Sequence, residues 1–339
     1  MSDVRVSFII PFYNVEKYIG ICLDSLYNQD IPEFDFEVIC IDDCSPDSSK
    51  DIVLEYQKIH SNIILIEHSV NKKVGGARNT GLNFAKGKYV WFIDSDDFIY
   101  PNIVKKMILE CEMKELDLFC FNIEKVTDQG IFINKEQVFS TIESPLNGID
   151  FLKKTFGSTL IYHLGYPYRA LYRRDYLITK KFYFPEQLSY GEETVYLARA
   201  TAFAQRVAST DESYYLYRQS LTSISVNLIK LKGDIIYQSV IRAASLILKF
   251  EEEIFSKDSE LAIILHLGVS LFSNRLLVRA LKCTVKQRFI LFSQLRNQKE
   301  NTLKLLPYMT TTNRFISSHT IIGFLLITII APIYKIYKN

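Results

Sequence analysis

Gly87-Lys88-Tyr89-Val90-Trp91-Phe92-Ile93-Asp94-Ser95-Asp96-Asp97 is the stretch on which the fold turns. Tyr89 to Ile93 is an apolar run rich in aromatic and β-branched side chains, and it reads as a buried strand. Asp94, Asp96 and Asp97 follow at once, three carboxylates within four positions. Ionised acids are costly inside a sheet, so they mark the point where the chain leaves the core. At the carboxyl end of a buried strand, Asp94 and Asp96 can offer oxygens to a hard divalent cation that also holds a diphosphate. The competing reading is an acidic turn that caps the next helix, and the surrounding sequence has to decide between them.

The same arrangement recurs upstream. Val6 to Ile10 reads as a strand, Pro11 to Asn14 as a turn, and Val15 to Tyr27 as a helix with Ile19, Cys22, Leu23 and Leu26 at helical spacing. Phe36 to Ile41 is a second strand that also finishes in acid, at Asp42 and Asp43, before a helix from about Ser49 to Ile59. Ile63 to Ile66 is a third strand, and Gly75-Gly76 precedes a short helix through Ala85. Strand and helix in strict succession imply right-handed crossovers and a Rossmann-like α/β fold, a mostly parallel sheet with helices on both faces. Ligands of such sheets lie along the carboxyl edge, so Pro11 to Asn14, Asp42-Asp43 and Asp94 to Asp97 are expected on one rim.

Beyond Lys114 the pattern is irregular, with a strand expected over Asp117 to Ile123. Tyr166, Tyr168, Tyr172 and Tyr176 cluster with Arg169, Arg173 and Arg174. That cluster reads either as amphipathic packing or as a surface that stacks on sugars and grips phosphate. After Gly191, Glu192-Glu193 opens a helix with acid in its first turn. From about Val226 the chain reads as mainly helical, including Ile235 to Phe250 and Leu261 to Leu281. The resulting division is 1–115, 116–225 and a helical region over 226–339.

The 339 residues are 48% hydrophobic, enough for a large core and more than one structural unit. Forty basic against thirty-eight acidic side chains give a net charge of +2, which provides no general attraction to nucleic acid. The six cysteines include no CxxC pair, so neither zinc nor a disulfide framework is indicated, and reduced thiols in a cytosolic compartment are expected. The amino terminus enters Val6 directly and carries Asp3 and Arg5, which reads as a first strand rather than a signal peptide. Phe315 to Tyr334 carries no formal charge and is followed by Lys335 and Lys338. Its densely apolar part, Ile321 to Ile333, is short for a span, so a tail over about 315–336 is expected to lie in the interface of an anionic membrane. A buried core helix is the alternative.

Five motifs stand in order: Ile9-Ile10-Pro11-Phe12-Tyr13-Asn14; Ile41-Asp42-Asp43-Cys44-Ser45-Pro46-Asp47; Gly75-Gly76-Ala77-Arg78-Asn79-Thr80-Gly81; Ala85-Lys86-Gly87-Lys88-Tyr89; and Phe92-Ile93-Asp94-Ser95-Asp96-Asp97. Together they resemble the family 2 glycosyltransferases, bacterial inverting sugar transferases of GT-A fold, from Val6 to about Tyr100 and with gaps to about Ser225. The resemblance implies that Pro11 and Tyr13 line a nucleotide pocket and that Asp43 accepts a hydrogen bond from uracil. It implies that Arg78 reaches the base or diphosphate. Asp94, Ser95 and Asp96 would form a DxD motif holding the nucleotide sugar and Mg²⁺ or Mn²⁺, with Asp97 beside them at the metal. Glu192-Glu193 stands where the family usually shows Glu-Asp, which makes Glu193, one methylene longer, the implied general base. Tyr217-Arg218 with Ser223-Ile224-Ser225 resembles a recurrent donor-proximal loop.

The implied activity is transfer from a UDP-sugar to a saccharide or lipid-linked saccharide acceptor at the cytosolic membrane face, in cell-surface polysaccharide synthesis. A non-catalytic sugar-nucleotide-binding partner subunit is the alternative. A sugar nucleotidyltransferase is a lesser one, because Pro11 to Asn14 stands where a Gly-rich basic loop would hold a triphosphate.

Overall fold

The computed structural model describes residues 4–156, 166–186, 188, 191–219, 243, 246, 247 and 250. Strands β1 (Val6–Phe12), β2 (Phe36–Asp42), β3 (Ile63–Glu67) and β4 (Tyr89–Phe92) are joined by helices α1 (Ile19–Tyr27), α2 (Ser49–Ile59) and α3 (Lys73–Phe84). β2 pairs with β1 and β3, and β1 with β4, all in parallel. There follow β5 (Phe98–Ile99), α4 (Val104–Met113), β6 (Leu118–Thr127), β7 (Phe132–Glu136), β8 (Ile142–Leu146) and α5 (Gly148–Phe156). Then come β9 (Ala170–Arg173), α6 (Arg174–Thr179), α7 (Glu192–Ala202) and β10 (Val207–Gln219). Among the described residues the sheet order is β3-β2-β1-β4-β9-β6-β10-β5, with β7 beside β6 and β8 beside β10. β9 runs antiparallel to both its neighbours, so the sheet is parallel through β4 and mixed beyond it.

The two faces of β1 show how the helices cover the sheet. Phe8 and Ile10 are buried in one cluster with Leu23 of α1, Val53 of α2, Met107 of α4 and Trp91 of β4. Ile9 points the other way, against α3: a Cβ on Gly81 would lie 2.3 Å from Ile9 Cγ2 and 2.9 Å from Ile41 Cδ1. Gly81 therefore lets the helix backbone rest on the sheet.

β10 is the longest strand and is absent from the sequence reading. It pairs with β6 through register shifts between Ser209 and Ser213 and between Ser213 and Tyr215. An irregularity of that kind rotates the side chains that follow it, and here those are Tyr215 and Arg218.

The chain forms two compact units. One comprises Met1–Thr155, Tyr166–Glu186 and Tyr196–Leu221; the other comprises Phe156–Gly165, Gln187–Val195 and Thr222–Asn339. Ala243, Leu246, Ile247 and Phe250 are helical, inside the helix expected over Ile235 to Phe250. Leu261 to Leu281, Ser223 to Ser225 and the 315–336 tail lie outside the described residues. Among the described residues no helix is long and apolar enough to cross a membrane.

Candidate active site

The carboxyl ends of β1, β2 and β4 come together as a single rim. Phe12 is in register with Asp42, the Asp43 N–H donates to the Phe12 carbonyl (3.0 Å), and the Ile93 N–H donates to the Ile9 carbonyl (3.0 Å). Asn14 and Cys44, at the first turns beyond β1 and β2, take left-handed φ of 58° and 66°. The loops they open are tied together. Val15 N–H donates to Ser49 Oγ (2.9 Å), Glu16 N–H to Asp47 Oδ2 (2.9 Å) and Ser48 N–H to Glu16 Oε2 (3.0 Å). On this fixed edge Pro11 is buried in the strand while Tyr13 stands 45% exposed, a ring free to cover a planar ligand.

Asp43 is buried and well held. Its Oδ1 faces His68 Nδ1 (2.7 Å) and accepts the Lys72 N–H (2.7 Å), and its carbonyl accepts from Asn71 Nδ2 (2.9 Å). His68 Nε2 faces Thr80 Oγ1 (2.9 Å), whose hydroxyl donates to the Gly76 carbonyl (3.1 Å), so β2 and α3 are clasped through one imidazole. The sequence reading did not single out His68. Arg78, 1% exposed on α3, donates from Nη2 to Asp94 Oδ1 (2.6 Å) with its guanidinium 5.2 Å from the Phe184 ring. Asn79 fixes that ring in place, exchanging both backbone hydrogen bonds of Phe184 at 2.9 and 2.8 Å.

Asp94 to Asp97 form a tight turn, closed by the Asp97 N–H on the Asp94 carbonyl (3.0 Å). It does not cap α4, which begins at Val104 without a side-chain cap. Asp97 is 1% exposed, and both its oxygens are engaged: Oδ1 by the Arg218 N–H (2.7 Å) and Oδ2 by the Tyr215 hydroxyl (2.7 Å). The same Tyr215 oxygen accepts the Asp94 N–H (3.1 Å). Arg218 Nε donates to the Asp96 carbonyl (2.9 Å), and its Nη1 donates to the Asp128 carbonyl in the turn between β6 and β7. β10 thus grips the acid turn from one side. The sequence expectation put Asp97 at the metal; in the structure each of its oxygens accepts one hydrogen bond from β10, which anchors the turn.

Asp94 and Asp96 are carboxylates, the ligand chemistry that a hard divalent cation takes. The Asp94 side chain is 25% exposed, and Ser95 between the two acids is buried. Burial, then the charge of Asp94, pushes Asp96 up to about 6. Burial, then Asp96 and Asp94, pushes Asp97 well above the usual carboxylate range. Crowded acids that raise one another in this way are relieved by a hard cation. Among the described residues no group of three or more His, Cys, Asp or Glu side chains is set to hold a metal by itself, so a cation here would need ligand oxygens besides the two carboxylates.

Glu192 and Glu193 occupy the first turn of α7, Glu192 buried and Glu193 partly exposed, and both belong to the second compact unit. The tyrosine and arginine cluster resolves as packing. Tyr168, Tyr172, Tyr176 and Arg169 are buried, and Arg169 pairs with Glu136 (2.9 Å) 4.6 Å from the Tyr166 ring. Arg173 pairs with Asp117, and Arg174 Nε donates to the Gly87 carbonyl (3.0 Å). Tyr215 was missed because nothing near it in sequence marks it: its partner Asp97 lies 118 positions away.

Comparison with known proteins bears on this geometry. The family model for glycosyl transferase family 2 matches residues 7–179. The poly(ribitol-phosphate) beta-glucosyltransferase of Bacillus spizizenii is 32% identical over 214 residues, 62% of this chain, which spans only 32% of that relative. The putative glycosyltransferase EpsH of Bacillus subtilis is 30% identical over 280 residues, covering 81% of this chain and 78% of EpsH. Among solved structures, residues 1–349 of Staphylococcus aureus TarS in complex with UDP-GlcNAc superpose with a TM-score of 0.72 at 22% identity, over 98% of this chain and 91% of that one. The sheet is accordingly of the Rossmann-like α/β kind seen in GT-A proteins, and the chain belongs to glycosyl transferase family 2.

Proposed function

We propose that this protein transfers a sugar, with inversion, from a UDP-sugar to a hydroxyl of a saccharide or lipid-linked saccharide acceptor. The observation that carries the reading is the shared rim, where Tyr13, Asp43 and the Asp94–Asp97 turn stand at adjacent strand ends. TarS, whose structure holds UDP-GlcNAc, has the same fold and supports a nucleotide-sugar donor.

Tyr13 covers the base and Asp43 accepts a hydrogen bond from it, using the carboxylate whose Oδ1 is already fixed by His68 and Lys72. Asp94 and Asp96 are the carboxylates that would hold Mg²⁺ or Mn²⁺, while Arg78 balances Asp94 and stands ready for the diphosphate. The chemistry supplied by such a cation is Lewis-acid stabilisation of the charge that gathers on the leaving diphosphate. Glu193 takes the proton from the acceptor hydroxyl, and a single base suffices because attack from the opposite face needs no covalent sugar intermediate. The apolar tail at 315–336 holds the protein at the cytosolic membrane face, where lipid-linked acceptors for surface polysaccharides are found.

The test is UDP release from a panel of UDP-sugars with and without manganese, comparing Asp96→Ala and Glu193→Gln with the parent. Asp96→Ala is expected to lose metal-dependent release, and Glu193→Gln to lose turnover while still binding UDP. Release that is equal in Asp96→Ala and the parent would refute the reading.

A further inference from the structure

One imidazole holds the acid at the end of β2. His68 directly follows β3; its N–H donates to the Asp42 carbonyl (2.9 Å) and its carbonyl accepts from Cys44 Sγ (2.9 Å), so its backbone is tied on both sides of Asp43. The ring, with its side chain 4% exposed, faces Asp43 Oδ1 through Nδ1 (2.7 Å) and Thr80 Oγ1 through Nε2 (2.9 Å). An ionised carboxylate only accepts, so Nδ1–H donates to Asp43, and the Lys72 N–H donates to the same oxygen (2.7 Å). Asp43 Oδ2 has no hydrogen bond among the described residues, and it is not one of the fully buried polar atoms left without a partner, so solvent reaches it. The exposed Tyr13 is its neighbour on the rim, since the Asp43 N–H bonds the carbonyl of Phe12 just before it. Asp43 thus offers one oxygen to a ligand while the other is held in place.

We propose that His68 is a specificity-determining positioning residue: by holding Asp43 Oδ1, it makes the site choose uracil over cytosine. The inference rests on the nucleotide-sugar reading given above and deepens it at the base. Uracil presents an N–H between two carbonyls and can donate it to Oδ2. Cytosine has a lone pair at the same ring position, which a carboxylate repels, and only the amine beside that position can donate. To meet the amine instead, the carboxylate has to swing round. Two donors on Oδ1 resist that rotation, one of them from a ring anchored at its far nitrogen on α3. A site built to accept an N–H rejects a base that lacks it, provided the acceptor cannot move to find another partner. His68 touches no ligand in this scheme and acts only through Asp43.

His68→Leu separates this role from a structural one. It removes both ring nitrogens and leaves the backbone bonds to Asp42 and Cys44 in place. The full chain would be titrated calorimetrically, in manganese, with UDP and with CDP, which differ in the base alone. We expect the parent to prefer UDP. His68→Leu should bind UDP about tenfold more weakly while its affinity for CDP holds or rises, so the UDP-to-CDP ratio falls at least about tenfold. A ratio equal to the parent's overturns the inference; this includes a variant in which both nucleotides weaken together, the mark of a merely structural role. A parent that binds the two equally overturns it as well. Thr80→Val keeps the ring and frees its far nitrogen, and should shift the ratio the same way by a smaller factor. It carries the comparison if His68→Leu melts below the titration temperature, and an unchanged ratio there then overturns the inference. A parent that binds neither nucleotide refutes the nucleotide-sugar reading itself, a separate result from a parent that selects UDP and a variant that does the same.

Discussion

Tyr215→Phe removes one oxygen atom and two hydrogen bonds. The hydroxyl donates to the buried Asp97 carboxylate at 2.7 Å and accepts the Asp94 N–H at 3.1 Å, while its ring stacks on Tyr168. The stack survives the substitution, so the loss is electrostatic. A hydrogen bond to a charged group contributes about 1.5–3 kcal/mol and an ordinary one about 1 kcal/mol, so the expected loss is about 2–4 kcal/mol. For a unit of this size that corresponds to a fall of roughly 5–15 °C in melting temperature. Asp97, already raised by burial and by its acidic neighbours, loses one of the bonds that holds it down and moves further up. The chain has a single tryptophan, Trp91, fully buried in β4 and bonded to the Tyr168 carbonyl, so denaturant unfolding followed by its fluorescence reports on this region directly. A variant within about 0.5 kcal/mol of the parent, the scatter of ordinary surface substitutions, would refute the claim that Tyr215 holds the acid turn.

Two further outcomes follow from the same site. Asp96 titrates near 6 rather than 3.8, so the folded chain holds that proton more tightly than the unfolded chain; this favours folding at low pH and is lost as pH rises through 6. In EDTA, Asp96→Asn should therefore raise the melting temperature at pH 7.5 and do markedly less at pH 4.5, and equal shifts at both would refute it. Arg169→Ala removes a buried cation lying 2.9 Å from Glu136 and should cost about 1–3 kcal/mol, read as a lower melting temperature; unchanged melting would contradict its packing role.

The parallel half of the fold was legible because each strand carries its own local signature. β1 and β2 are short apolar runs that end in a turn or in acid, and α2 runs from Ser49 to Ile59 as its pattern suggests. β10 was not legible, for a reason visible in its residues. Thr210-Asp211-Glu212-Ser213 puts a polar run in mid-strand, where the register against β6 shifts and period-two alternation fails. The site divides in the same way. Asp43, Arg78, Asp94 and Asp96 stand in recognisable motifs, whereas His68 and Tyr215 act through partners distant in sequence, which no local pattern encodes. Aromatic content around Tyr166 to Tyr176 was ambiguous because stacking on a sugar and stacking on another ring demand the same side chains.

The placement of β9 and β10 limits where this chain can be cut. β9 slots between β4 and β6, and β10 between β6 and β5, so both late strands fill the interior of a sheet begun far earlier. A protein ended at residue 179, where the family match stops, would leave one long side of β6 bare and delete the Tyr215 and Arg218 clamps together. Bare strand flanks invite self-association, so such a truncation should aggregate rather than act as a minimal donor-binding module. Any excised fragment meant to keep the acid turn in shape has to extend through Gln219.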